Sequence, residues 1–160
     1  ARIIDDEILE LAAKAGCTEI SFGIESGSQR MLDLMNKRTT LEANKKAITL
    51  TKKHGMKAKA YFVVNFPGES NESIQETLEF AVQTMPDKWL LSSFAPLPGS
   101  DTYKNPKKYG ITWMSSVWED YYLVGKDGSF RPCFETKVLT ISRQIDLHNT
   151  LYRGLKEILG

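Results

Sequence analysis

The sequence is short of most features that would settle a function class at once. It has two cysteines in 160 residues, Cys17 and Cys133, too few and too far apart for a disulfide framework or a metal site of their own. Both are expected to be reduced bystanders. It has no excess of either charge, with 21 Lys and Arg against 20 Asp and Glu and a net charge of +1, which argues against nucleic acid or an anionic membrane as the main partner. No apolar run reaches the length of a membrane-spanning helix and no signal-peptide architecture opens the chain, so the cytoplasm is expected. GxGxxG, P-loop, HExxH and GxSxG motifs are all absent, which removes the support for dinucleotide binding, phosphate-loop and elbow-serine chemistry. The two histidines, His54 and His148, fall at helical positions with no second ligand at metal spacing, and a structural role is expected for both.

What remains is an ordinary globular composition, 41% hydrophobic and 26% charged, long enough for one real core. The chain starts at Ala1 without methionine, and Ala1-Arg2-Ile3-Ile4 reads like the tail of an interrupted element. An excised piece of a larger protein is therefore expected.

The same grammar occurs three times. A strand-like run over 18–24 ends on Glu25-Ser26-Gly27-Ser28, a second over 57–64 ends on Asn65-Phe66-Pro67-Gly68-Glu69-Ser70, and a third over 89–95 ends on Pro96-Leu97-Pro98-Gly99-Ser100. Helices are expected over 4–15, 40–54 and 71–85, with a short one from Gln29 to Met35. Their expected buried stripes are Ile4, Ile8, Leu11, Ala12 and Ala15; Ala43, Ala47 and Leu50; and Ile74, Leu78, Ala81, Val82 and Met85. Asp5 and Asp6, Thr40 and Ser70 supply N-terminal capping chemistry, and Gly16 and Gly55 supply stops. Strand, helix, strand, helix, strand implies right-handed βα units in an α/β parallel sheet, with all three loops on one edge. Ligands of such sheets bind at that edge.

Glu25 is the sharpest candidate there, as a carboxylate able to accept hydrogen bonds from hydroxyl or ammonium groups. The competing reading makes it a turn residue paired with a lysine. Asn65 offers an amide, Pro67-Gly68 exposes backbone groups at a helix entrance, and Glu69 favours a helix N-terminus. Beyond Leu97 the βα pattern is lost. Lys104 to Lys108 reads as a solvated turn. Tyr109, Trp113, Trp118, Tyr121, Tyr122, Phe130 and Phe134 read as core capping a domain end, with a substrate-lining role as the alternative. A last helix is expected on Ile141, Ile145, His148, Tyr152, Leu155 and Leu159.

Four motifs in order and spacing, Gly23-Ile24-Glu25-Ser26-Gly27-Ser28, Leu34-Met35-Asn36-Lys37, Phe66-Pro67-Gly68-Glu69 and Pro96-Leu97-Pro98-Gly99-Ser100, resemble the radical S-adenosylmethionine enzymes. The subgroup resembled is the one with a cobalamin-binding domain, the oxidative-cyclase-like and methyltransferase-like proteins. The likeness covers residues 2 to about 103 and extends loosely to the last helix. It implies the C-terminal half of a partial (β/α)6 TIM-like barrel over residues 1–103, with an aromatic-rich extension over 104–160 packing on or capping it. The family's other half carries a CxxxCxxC loop for a 4Fe–4S cluster, which cleaves S-adenosylmethionine to a 5′-deoxyadenosyl radical. That motif is absent from this sequence, so the chain alone is expected to be inactive and its cluster ligands to lie elsewhere.

By motif, Glu25 and Ser26 would hold the ribose or methionyl part of the cofactor. Val63, Asn65, Phe66, Pro67 and Gly68 would lie on the adenine, and Ala95-Pro96 near its edge. Asn65 stands where the family usually has glycine. The implied parent performs radical methyl transfer, cyclisation or rearrangement on a small-molecule substrate, with cobalamin in a separate domain. The alternatives are a non-catalytic βα ligand-binding module and a half-barrel enzyme acting on a phosphorylated metabolite. The partners expected are the substrate, the missing N-terminal half of the barrel and, through an apolar inner face carrying Phe22, Tyr61 and Leu91, a second copy of the chain, unless the segment from Tyr109 to Phe134 and the last helix fold back over that face.

Overall fold

A computed structural model describes residues 4–121 and 130–160. Ala1, Arg2 and Ile3 of the expected interrupted element, and Tyr122 of the aromatic segment, lie outside the described residues.

Strands β1 (Glu19–Glu25), β2 (Lys57–Val64) and β3 (Lys88–Ser93) form a parallel sheet in the order β1-β2-β3. Helices α1 (Asp6–Lys14), α2 (Gln29–Leu34), α3 (Leu41–Lys53) and α4 (Asn71–Thr84) alternate with the strands. The expected α/β half-barrel pattern is therefore present: three parallel strands with covering helices, then an extension. The extension holds α5 (Asp101–Lys104), a 3-10 turn (Pro106–Tyr109), an antiparallel hairpin of β4 (Ile111–Met114) and β5 (Phe134–Thr136), and the long α6 (Ile141–Leu159).

Local chemistry sets the helix ends. Asp5, Thr40, Ser70 and Thr140 each accept a hydrogen bond from a backbone N–H three residues on, satisfying donors that the first helical turn leaves unpaired. At Ser70 the arrangement is reciprocal, with the Ser73 hydroxyl bonded to the Ser70 N–H.

Packing corrects several of the expected stripes. In α1, Leu9 is fully buried while Ile8 and Leu11 are 45% and 59% exposed, because the helix turns a different face to α3. In α4, Ser73, Thr77, Phe80 and Thr84 are buried and Val82 and Met85 are exposed. Polar positions enter that core at little cost because Thr77 and Thr84 donate to carbonyls one turn back, Ser73 O and Phe80 O, each at 2.8 Å. In α6 the buried stripe is Gln144, Leu147, Leu151 and Leu155, not Ile141, Ile145 and Tyr152. That phase presents Gly154 to α4, where a Cβ would meet Leu78 Cδ2 at 2.5 Å. The helical layer closes over Phe22, Ile24, Ala58, Ala60, Phe62, Val64 and Leu91, all buried.

The other sheet face is polar. The register pairs Gly23 with Tyr61 and Tyr61 with Leu90, so Tyr61 lies opposite to Phe22 and Leu91, which point under the helices. The expectation of an apolar inner face is overturned: beside Tyr61, Val63 and Leu90 it carries Glu19, Ser21, Lys57, Lys59, Lys88 and Ser92. Lys88 pairs with Glu19 at 2.5 Å, and Lys59 Nζ stands 5.0 Å from the Tyr61 ring centroid.

Candidate functional site

Parallel pairing puts the ends of all three strands on one edge of the sheet. The loops Ser26–Ser28, Asn65–Ser70 and Phe94–Ser100 gather there, and the Phe94 N–H donates to Val64 O at 2.8 Å. This is the edge at which open α/β sheets place ligands.

Glu25 reaches its position through a bulge. The register jumps between Gly23 and Glu25, and Glu25 has φ 63°, in the left-handed region. A non-glycine residue there carries a local cost of roughly 1–2 kcal/mol. The turn swings the carboxylate back over Gly23, where a Cβ would meet Oε1 at 2.6 Å. A side chain at this position would have to push the carboxylate tip aside. Lys37, from the segment after α2, meets the same oxygen at 2.6 Å, and the Glu25 side chain is 17% exposed. The lysine of the turn-residue reading is therefore present, and it comes from one of the motifs that carry the family resemblance.

Ser26 is turned away from the open edge. Its hydroxyl is buried, lies 3.1 Å from Thr77 Oγ1 and accepts from the Ser28 N–H at 3.1 Å. Thr77 Oγ1 also accepts from the Gly27 N–H at 3.0 Å. Gly27 sits so close to α4 that a Cβ would meet Phe80 Cβ, Glu76 O and Thr77 Cα within 2.5–2.6 Å. The Ser28 hydroxyl is buried with no hydrogen-bond partner among the described residues.

In the second loop Asn65 has φ 71°, in the left-handed region that asparagine tolerates best after glycine. Its side chain points inward, not at the edge. Nδ2 donates to Ser93 Oγ at 2.9 Å and to Gln144 O at 3.2 Å. Asn65 Oδ1 and Gln144 Oε1 are buried acceptors without partners among the described residues. Phe66 is buried edge-to-face against Phe94 and Tyr109, with centroids 4.7 and 6.1 Å away. Pro67 is buried and Gly68, with φ 103°, is exposed. The Gly68 carbonyl accepts from Arg30 Nη1 at 3.0 Å.

Glu69 is more deeply set than a helix-dipole role requires. It is 9% exposed. Burial pushes its carboxyl up to about 7, against the lowering effects of the Ser73 hydroxyl, the Asn65 and Ser70 backbones and the Arg30 charge. Val63 is half-buried on the polar face beside Ser92; Ala95 is half-buried and Pro96 buried in the third loop. Sequence reasoning missed Arg30, Thr77, Ser93 and Gln144, whose parts depend on contacts 28 to 79 residues apart.

The donor and acceptor set at the edge fits S-adenosylmethionine: a carboxylate suits hydroxyl or ammonium donors and the Lys37 ammonium suits a carboxylate. An iron–sulfur cluster does not fit the chain's own cysteines. Cys17 lies ahead of β1, at the far end of the sheet, with its thiol toward Glu19 O at 3.4 Å. Cys133 is 2% exposed and burial pushes its thiol up to about 11, against the thiolate that ligation needs. Among the described residues no cluster of three metal-capable side chains occurs, and no helix is long and apolar enough to cross a membrane. His54 pairs with Asp6 at 2.9 Å and His148 stacks on Tyr152 at 6.3 Å, both structural contacts.

Comparison with known proteins adds findings of three kinds: a family, curated relatives and solved structures. Residues 1–81 match the family model described as the radical SAM superfamily. The anaerobic magnesium-protoporphyrin IX monomethyl ester cyclase of Rubrivivax gelatinosus is 38% identical over 100 residues, covering 62% of this chain and 18% of the relative. A putative methylthiotransferase of Methanocaldococcus jannaschii is 35% identical over 136 residues, 82% of this chain and 30% of the relative. The chain thus spans under a fifth of the first curated relatives' length. Among solved structures, the radical S-adenosylmethionine methyltransferase TsrM of Kitasatospora setae superposes with a TM-score of 0.63 at 14% identity, over 95% of this chain and 34% of that one. Coproporphyrinogen III oxidase of Escherichia coli gives the same TM-score, likewise at 14% identity, over 96% and 30%. These two likenesses concern the fold.

Proposed function

The chain belongs to the radical SAM superfamily, and from that premise we propose that it forms part of an S-adenosylmethionine-binding enzyme, supplying cofactor-binding loops and a wall for a small-molecule substrate. The observation that carries this reading is the Glu25 carboxylate, held at a left-handed turn over Gly23 at the sheet's ligand-binding edge. A strained residue that aims a carboxylate out of the sheet is more than a turn requires. Glu25 accepts hydrogen bonds from the cofactor's ribose hydroxyls or ammonium group, and Lys37 holds that carboxylate in place. Ser26 fixes the turn through Thr77. The Val63–Gly68 segment and Ala95-Pro96 lay backbone and the Phe66-supported loop against the adenine.

A 4Fe–4S cluster, ligated by residues outside this chain, would supply the electron for reductive cleavage of S-adenosylmethionine in the whole protein. The chain by itself is proposed to be catalytically silent. The reaction class proposed for the whole protein is radical methyl transfer, cyclisation or rearrangement; methyl transfer and cyclisation appear in its relatives' names. Cobalamin belongs to the same proposal only as the content of a separate domain.

Calorimetric titration of S-adenosylmethionine into the intact protein tests this. Glu25→Ala removes a charge-assisted contact worth about 1.5–3 kcal/mol, so affinity drops roughly ten- to a hundredfold. Unchanged affinity in Glu25→Ala and in Lys37→Ala alike would return Glu25 to the role of a turn residue.

A further inference from the structure

A cleft of about 340 Å³ opens between Gly68, in the loop after β2, and the base of the β4–β5 hairpin. Its size falls within the range of small-molecule sites. Ile111 and Tyr109 line it, with Val138 beside them. Val138 is 77% exposed, more than any other large apolar residue among those described. This exposure is imposed by a turn: Thr136 Oγ1 accepts from the Val138 and Leu139 N–H groups at 3.3 and 2.9 Å, and the Thr136 N–H donates to Leu139 O at 3.2 Å. Lys137 and Val138 are thereby presented by a fixed backbone.

Lys107 and Lys137 both line the cleft. The register brings them together, because Ile111 pairs with Thr136, so the residues ahead of β4 and those after β5 share one end of the hairpin. Neighbouring Lys108 is engaged by Asp101 at 2.6 Å, whereas Lys107 and Lys137 form no ion pair with a carboxylate among the described residues. The lining contains no acidic residue at all. Two ammonium groups over a mainly apolar wall complement an anion carried on an apolar body. The lining contains no arginine fork, and the Gly110 N–H is already donated to Lys107 O at 3.1 Å. A carboxylate on an apolar molecule therefore suits the cleft better than a hydrated phosphate. Tyr109 links this cleft to the cofactor loop, since its ring meets Phe66 edge-on at 6.1 Å while its hydroxyl donates to Asp101 at 2.5 Å.

We propose that this cleft is the subsite for a carboxylate-bearing, largely apolar substrate, with Lys107 and Lys137 receiving the carboxylate and Tyr109, Ile111 and Val138 the apolar body. The inference rests on the substrate-wall reading above and names the class of substrate for it.

The test uses the full-length protein and 1-pyrenebutyrate as a fluorescent probe, with the neutral 1-pyrenebutanol as its counterpart. Pyrenebutyrate should bind saturably. Its affinity should fall about tenfold in the K107A/K137A double variant and stay within about twofold in K107R/K137R, and pyrenebutanol should bind about tenfold more weakly than pyrenebutyrate. Equal affinity in the alanine double variant, equal binding of the two probes, or no saturable binding would overturn the proposal. Displacement of the probe by millimolar inorganic phosphate would overturn the carboxylate assignment. S-adenosylmethionine titrated alongside separates the two readings. Retained cofactor affinity in the double variant supports a distinct subsite, and its loss overturns one. Probe binding in a wild-type protein that ignores S-adenosylmethionine overturns the proposed function and leaves the cleft's chemistry standing.

Discussion

Replacing Glu69 by glutamine should make the protein's stability respond to pH in a way that isolates this one carboxyl. Burial raises its folded-state value from 4.5 to about 7. An acid whose pKa rises on folding takes up a proton as the chain folds, between the unfolded and folded values. Its neutral form is free of penalty below pH 4.5; the penalty grows as pH climbs toward 7 and is complete above it. A shift of that size corresponds to about 3 kcal/mol of destabilisation at pH 8. Glutamine removes the charge but presents one acceptor oxygen where the Ser73 hydroxyl and the Asn65 and Ser70 backbones converge, which returns about 1 kcal/mol. The variant should therefore be more stable than the parent by about 2 kcal/mol at pH 8 and slightly less stable at pH 4.5. Urea unfolding at several pH values across this interval measures the crossing. A stability difference that stays constant from pH 4.5 to 8 would refute the reasoning.

Gly27→Ala places a Cβ against the α4 backbone, which cannot yield as a side-chain tip can; a loss of about 1–3 kcal/mol is expected by thermal melting. Asn65→Ala combines an unfavourable left-handed conformation with the loss of bonds to Ser93 and Gln144. It should cost about 2–3 kcal/mol, and Asn65→Gly about 1 kcal/mol less, because glycine relieves the backbone cost alone. Equal losses in the two variants would show that the backbone conformation is irrelevant there.

The strands were legible because β-branched and aromatic runs end on turn residues, and the expected spans over 57–64 and 18–24 match β2 and nearly match β1. The caps at Asp5, Thr40 and Ser70 were legible because capping is local chemistry. Helix faces were less so. Ile141, Ile145 and Tyr152 obey helical spacing as well as Leu147, Leu151 and Leu155 do, and only the neighbouring α4 decides which set is buried. The sheet's two faces were confused for a related reason: Phe22 and Tyr61 both sit mid-strand, but the register that places them on opposite sides is a tertiary fact. Strands β4 and β5, four and three residues long and nineteen apart, leave too little alternation to read. At the candidate site, the strand-end position of Glu25 was legible in the sequence. Its left-handed turn and its partner Lys37 emerge from the bulge and the fold, and no local pattern announces either.

The hydroxyl of Thr77 ties α4 to a loop that lies fifty residues away along the chain. It accepts from Gly27, contacts Ser26 and donates to the carbonyl of Ser73, whose own hydroxyl bonds Glu69. The turn after β1 and the entrance to α4 are consequently one mechanical part, a single jaw with two tips. A ligand that orders either tip orders both, so the entropy lost on closing around it is lost once.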